Sequence, residues 1–131
     1  RPRLALLNAD TWPDVQQLFI DCAVPWMTDW QFNPRRTLVA LHGGAVVGFV
    51  TSWHDGQPIA WIDLMLVTPK LRGSGIGAWL LWTMEAMLRQ AGAKVVRVVL
   101  DGDDATVEEQ MVRCGYTACK GNIVMERHNE G

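Results

Sequence analysis

The stretch Val67-Thr68-Pro69-Lys70-Leu71-Arg72-Gly73-Ser74-Gly75-Ile76-Gly77-Ala78 decides how this chain is read. It leads from an apolar strand into an apolar helix through a loop with basic residues and three glycines at alternate positions. A loop of this kind can turn several backbone N–H groups toward one point, and the helix behind it adds the positive end of its dipole. The combination is a seat for a phosphate-bearing ligand.

Working outward, the segment before the loop, Ile59–Val67, reads as a strand. The segment behind it, Ile76–Ala91, carries an apolar stripe at helical spacing through Ile76, Leu80, Met84, Met87 and Leu88, widened by Trp79, Trp82 and Ala86, and Gly92 stops it. Upstream, Thr37–Leu41 and Ala45–Trp53 are strands on either side of a His42-Gly43-Gly44 turn, and a second turn over His54–Pro58 leads to Ile59. Short turns between three strands imply an antiparallel meander. Arg3–Leu7 is a further short strand. Thr11 opens a helix with Pro13 in its first turn and Asp14 completing a capping box, and Val15, Leu18, Phe19 and Cys22 recur on one face. Trp26–Phe32 reads as a short second helix. Downstream, the β-branched run Lys94–Leu100 predicts a strand buried on both faces. Asp104–Cys114 predicts a helix ended by Gly115, and Thr117–Lys120 with Asn122–Arg127 a final hairpin. The expected architecture is α+β: helices flanking one mixed, mostly antiparallel sheet, in a single domain over residues 1–131.

Composition narrows the classes. The chain has 131 residues, 49% of them hydrophobic, enough for one core. A net charge of −2 gives no drive toward nucleic acid or an anionic membrane. No apolar run reaches the ~20 residues of a membrane-spanning helix, and the N-terminal residues lack a signal-peptide layout. Three cysteines without metal-ligand spacing predict reduced thiols, a cytoplasmic location and no metal.

Three readings of the glycine loop compete. One is a turn that needs glycine for geometry. A second is dinucleotide binding, since Gly73-x-Gly75-x-x-Ala78 fits that fingerprint. Against it, Thr68–Arg72 separates the glycines from the strand tip, and the preceding strand belongs to a meander rather than a β-α-β unit. The third is a resemblance. Arg72-Gly73-Ser74-Gly75-Ile76-Gly77 resembles the Arg/Gln-x-x-Gly-x-Gly/Ala acyl-CoA signature of the GNAT superfamily of N-acyltransferases. Leu66-Val67-Thr68-Pro69 and Arg113-Cys114-Gly115-Tyr116 resemble that family's strand end and last helix end, and the element order agrees from Arg3 to Arg127.

The resemblance implies a GNAT-like fold with a splayed parallel pair, formed here by the strands ending at Val67 and Leu100. It implies acetyl-CoA as co-substrate, with the pyrophosphate on Arg72, Gly73, Ser74, Gly75, Ile76, Gly77 and Ala78. The pantetheine arm would run along Leu66 and Val67, with the Val67 N–H as oxyanion donor. The implied reaction is acetyl transfer to a primary amine, a small molecule, by direct attack in a ternary complex. Two alternatives stay open: an acyl-CoA-binding module without turnover, and a protein N-terminal acetyltransferase. Asp63, a carboxylate inside an apolar strand, is the candidate base, against a structural role satisfied by backbone N–H groups or an arginine. Met111 stands where many family members carry a proton-donating Tyr, and Asp104 where they carry Asn. An apolar acceptor wall is expected from Trp26, Met27, Trp30 and Phe32, an acidic rim from Asp101 to Glu109, and family precedent allows a homodimer.

Overall fold

The computed structural model describes residues 2–22, 36–99, 111–113, 115–119 and 124–128. The predicted helix Trp26–Phe32, its aromatic wall, and the acidic stretch Asp101–Glu109 lie outside the described residues. So do Cys114 and most of the predicted helix Asp104–Cys114; residues 111–113 are helical.

The described elements are β1 (Arg3–Leu6), α1 (Trp12–Asp21), β2 (Arg36–His42), β3 (Ala45–Trp53), β4 (Ile59–Val67), α2 (Ile76–Gln90), β5 (Val95–Val99), β6 (Thr117–Cys119) and β7 (Val124–His128). They build one seven-stranded sheet in the order β1-β2-β3-β4-β5-β7-β6. Only β4 and β5 pair in parallel; every other neighbour is antiparallel.

Helix α1 starts with a reciprocal cap one turn earlier than the Thr11–Asp14 box expected from the sequence. The Asn8 side chain accepts from the Thr11 N–H at 3.0 Å, and the Thr11 hydroxyl accepts from the Asn8 N–H at 3.1 Å. Asn8 thereby satisfies the first orphan donor. Val15, Leu18 and Phe19 of α1 pack on one face of the sheet, with Phe19 edge-on to Phe49 at 5.4 Å.

Helix α2 covers the other face and buries Ile76, Leu80, Leu81, Met84 and Leu88. Its approach depends on Gly48 of β3, where a Cβ would stand 2.9 Å from Leu80 Cδ1 and 3.2 Å from Ile76 Cγ2. The missing side chain lets the first turns of α2 lie on the sheet, which fixes where the helix N-terminus points. Trp79 and Trp82 do not extend the buried stripe: they are 39% and 54% exposed. That flank carries a buried carboxylate instead. Glu85, 3% exposed, accepts from Tyr116 Oη (2.8 Å), Arg127 Nη1 (2.6 Å) and Arg89 Nη2 (2.9 Å). The network ties the last hairpin to α2. Burial first, then the Glu85 charge, pushes the Tyr116 phenol far above its ordinary value.

Strand β5 also differs from the sequence reading. Val96 and Val98 are buried under α2, while Val95, Arg97 and Val99 on the other face are half-buried.

Candidate active site

The site is built where β4 and β5 part. Among the described residues they pair from Ile59↔Val95 to Ile62↔Val98 and no further, while β4 runs on to Val67 against β3. Directly past the last shared rung, β4 carries a bulge. Thr51 faces Leu64 and Ser52 faces Ile62, which leaves Asp63 as the extra residue. An extra residue bends its strand and reverses which face each later side chain takes. Ala60 and Ile62 accordingly pack on the α2 side, but beyond the bulge it is Met65 and Val67 that do so, while Leu64 and Leu66 turn to α1. A strict period of two would put Asp63 on one face with Trp61, Met65 and Val67, and this insertion breaks that pattern by moving Met65 and Val67 to the α2 side. Asp63 itself is half-buried at the point where the strands diverge.

Beyond the bulge, the free edge of β4 is set by its pairing with β3. Thr68 N–H donates to the Val47 carbonyl at 2.8 Å, flanking the pair Gly48↔Val67. Because the peptide is planar and trans, the Val67 carbonyl must point the opposite way, toward the opening. Val67 N–H lies on that same edge, and two residues back so do the N–H and C=O of Met65. Leu66 turns its backbone groups to β3, so of the two neighbours it is Met65 whose backbone faces the opening. Met65 was not singled out from the sequence, although counting back by two from Val67 places it on the same edge. The Val67 carbonyl already has one partner, the Cys22 thiol, which donates to it at 3.5 Å from the end of α1. No sequence signal pointed to that contact.

The glycine loop stands at the far end of this edge. Gly73 and Gly75 have φ of +81° and +92°, and an added Cβ at either would meet nothing within 4 Å. Between them Ser74 N–H donates to the Leu71 carbonyl at 3.2 Å. Gly75 is the N-cap of α2, and no side chain caps the helix. The helical bonds begin with Trp79 N–H donating to the Gly75 carbonyl at 3.0 Å. The N–H groups of Gly75, Ile76, Gly77 and Ala78 are therefore the donors that a helix leaves unsatisfied at its start. Arg72 to Gly75 and Ala78 are exposed. Gly77 lies over the free edge, its Cβ position 3.6 Å from Met65 Cε and Val67 Cγ2. The loop also borders a cleft of about 520 Å³ lined by Arg3, Leu4, Ser74, Gly75, Ile76 and Trp79. The structure thus sets Gly77 of the loop against Val67 on the free edge, with Asp63 further back on the same strand where β4 and β5 part.

On the α1 side of the sheet, one rung below the fork, the Arg97 guanidinium lies 5.2 Å from the centre of the Trp61 ring. Arg97 Nε donates to Glu126 Oε2 at 2.9 Å, and His128 Nε2 is 3.0 Å from Glu126 Oε1. The His128 hydrogen bond first, then that from Arg97, holds the Glu126 carboxyl below its usual range. Met111 is buried in the core beside Tyr116, as an apolar packing residue.

Residues 5–116 match the model of the acetyltransferase (GNAT) family. The chain belongs to the GNAT acetyltransferase family. A curated relative, mycothiol acetyltransferase of Propionibacterium freudenreichii subsp. shermanii, is 28% identical over 101 residues. The match covers 72% of this chain but only 31% of that protein, so the chain spans about a third of the relative's length. Among solved structures, the ribosomal-protein-S18-alanine N-acetyltransferase of Escherichia coli superposes with a TM-score of 0.87 over 100% of this chain and 96% of its own, at 14% identity. The PaiA N-acetyltransferase of Thermoplasma acidophilum, in complex with coenzyme A, superposes with a TM-score of 0.78 over 98% and 99%, at 11% identity. At these identities the two structures establish a shared fold.

Proposed function

We propose that this chain is an acetyl-CoA-dependent N-acetyltransferase that passes an acetyl group directly to a primary amine within a ternary complex. The observation that carries the proposal is the continuity of two unsatisfied donor sets. One is the uncapped amides of Gly75 to Ala78. The other is the β4 edge at Met65 and Val67, to which no strand pairs among the described residues. The edge at Met65 and Val67 is half-buried, and backbone groups withdrawn from water without partners are costly, so a ligand that supplies partners is favoured there. A diphosphate suits the helix start, with Arg72 as the nearby cation. An arm bearing amides suits the strand edge.

Acetyl-CoA would supply the activated acetyl group. Each residue then has a limited task. Met65 and Val67 offer N–H groups to the charge that develops on the carbonyl oxygen, a stabilisation that needs no side chain. Asp63, at the fork, accepts the proton that the acceptor ammonium must lose, directly or through water. Met111 cannot donate a proton, so the departing thiolate takes one from water or from the acceptor. The reading is tested by titrating acetyl-CoA and then following thiol release with an amine panel. Saturable binding and amine-dependent release support it; no binding ends it. Met111 in the core favours one alternative, an acyl-CoA-binding module, and binding without release on any amine or peptide would select that.

A further inference from the structure

The group of side chains below the fork has no task in the transfer itself. Trp61, Arg97, Glu126 and His128 lie across β4, β5 and β7. Arg97 belongs to the rung next to the last one shared by β4 and β5, so it sits at the floor of the opening. It faces the side of the sheet on which α1 packs, since its neighbours Val96 and Val98 face α2. Both oxygens of Glu126 are engaged, one by Arg97 Nε and the other by His128. Arg97 has spent only its Nε. Its Nη1 and Nη2, four N–H donors, meet no protein acceptor among the described residues, and the side chain is 32% exposed. The unspent charged donor in this group is thus the outer end of Arg97. The guanidinium is also held in place, by the Trp61 face on one side and Glu126 at its base. A fork fixed at its root with both prongs unspent matches a planar two-oxygen anion.

We propose that Arg97 determines acceptor specificity: it receives a carboxylate carried by the acceptor amine, so that the substrate class is an amino acid or a similar aminocarboxylate. The inference rests on the acetyltransferase reading and extends it. The amine end would lie toward Asp63, two positions further along β4 than Trp61, and the carboxylate on Arg97, matching a zwitterion to one anionic and one cationic group.

The experiment uses matched acceptors, each amino acid beside its carboxamide, at saturating acetyl-CoA, with thiol release and calorimetric binding as readouts. The expected result is a preference in kcat/KM for the carboxylate of roughly tenfold or more. Arg97→Gln should abolish the preference, and Arg97→Lys should keep part of it, while the KM for acetyl-CoA stays within about twofold of wild type. A phosphonate analogue accepted in place of the carboxylate would keep the anion and correct its identity. Carboxamides used as well as carboxylates, a preference unchanged in Arg97→Gln, or no binding of any aminocarboxylate to a protein that binds acetyl-CoA would overturn the inference alone. Failure to bind acetyl-CoA would overturn the reading beneath it as well.

Discussion

Replacing Ser74 by Asp should move stability and cofactor affinity in opposite directions. Ser74 precedes the N-cap Gly75, is exposed, and has its N–H bonded to the Leu71 carbonyl, a contact the substitution leaves in place. A carboxylate at the positive end of an uncapped helix should stabilise the free protein by about 0.3 to 1 kcal/mol, raising Tm by roughly 1 to 4 °C. The same carboxylate would stand about 5 Å from a diphosphate seated on the Gly75–Ala78 amides. Each phosphate charge then costs about 1 to 3 kcal/mol, depending on how much water screens the pair. Two charges at the lower figure give about 2 kcal/mol, a loss of roughly 30-fold in CoA affinity. Ser74→Asn should leave affinity near wild type, and the Asp penalty should shrink in high salt. Thermal melts and isothermal titration with CoA decide the matter. Affinity unchanged in Ser74→Asp would refute the diphosphate seat. A loss that came with a lower Tm would show damage to the loop rather than repulsion. Gly75→Glu is a poorer probe, because φ of +92° makes any side chain there a source of strain.

Further predictions concern the frame and the chemistry. Gly48→Val drives a side chain into Leu80 and Ile76 and should cost about 1 to 3 kcal/mol in chemical denaturation, with weaker CoA binding as α2 lifts; an unchanged midpoint would contradict the close approach. Tyr116 is the chain's one tyrosine, so absorbance at high pH reports it alone. Its phenol is raised in the fold and ordinary, 10.0, in the unfolded chain. Above that value the unfolded chain releases a proton that the folded one keeps, so stability should be intact below pH 10 and fall as pH rises past it. A tyrosinate signal that grew in near pH 10 without unfolding would contradict the Glu85 contact. Asp63→Asn should lower kcat by roughly 100-fold or more while the KM for acetyl-CoA changes little; an unaltered kcat would exclude Asp63 as the base.

The limits of β3 and β4 were legible because apolar runs are closed off by glycine- and proline-bearing turns, and the structure keeps them at Ala45–Trp53 and Ile59–Val67. The glycine loop was legible for a local reason too, since positive φ and an uncapped helix start are properties of a few adjacent residues. The bulge was not. Ile62 and Leu64 are both apolar, so an extra residue between them leaves no break in the pattern, yet it changes the face of everything after it. The roles of Gly48 and Glu85 were hidden because each depends on residues about 30 positions away, Leu80 for the one and Tyr116 for the other. Arg97 was concealed within a run of valines that reads as fully buried, although only alternate residues are.

The account's central claim is that one ligand bridges the start of α2 and the open edge of β4. Amide-resolved NMR during a titration with CoA tests it most directly. The N–H resonances of Met65, Val67, Gly75, Ile76, Gly77 and Ala78 should shift together with one saturation curve, and Leu66, turned to β3, should move less. Saturable binding that shifts the Gly75–Ala78 amides but leaves Met65 and Val67 still, or that maps to another surface, would contradict it.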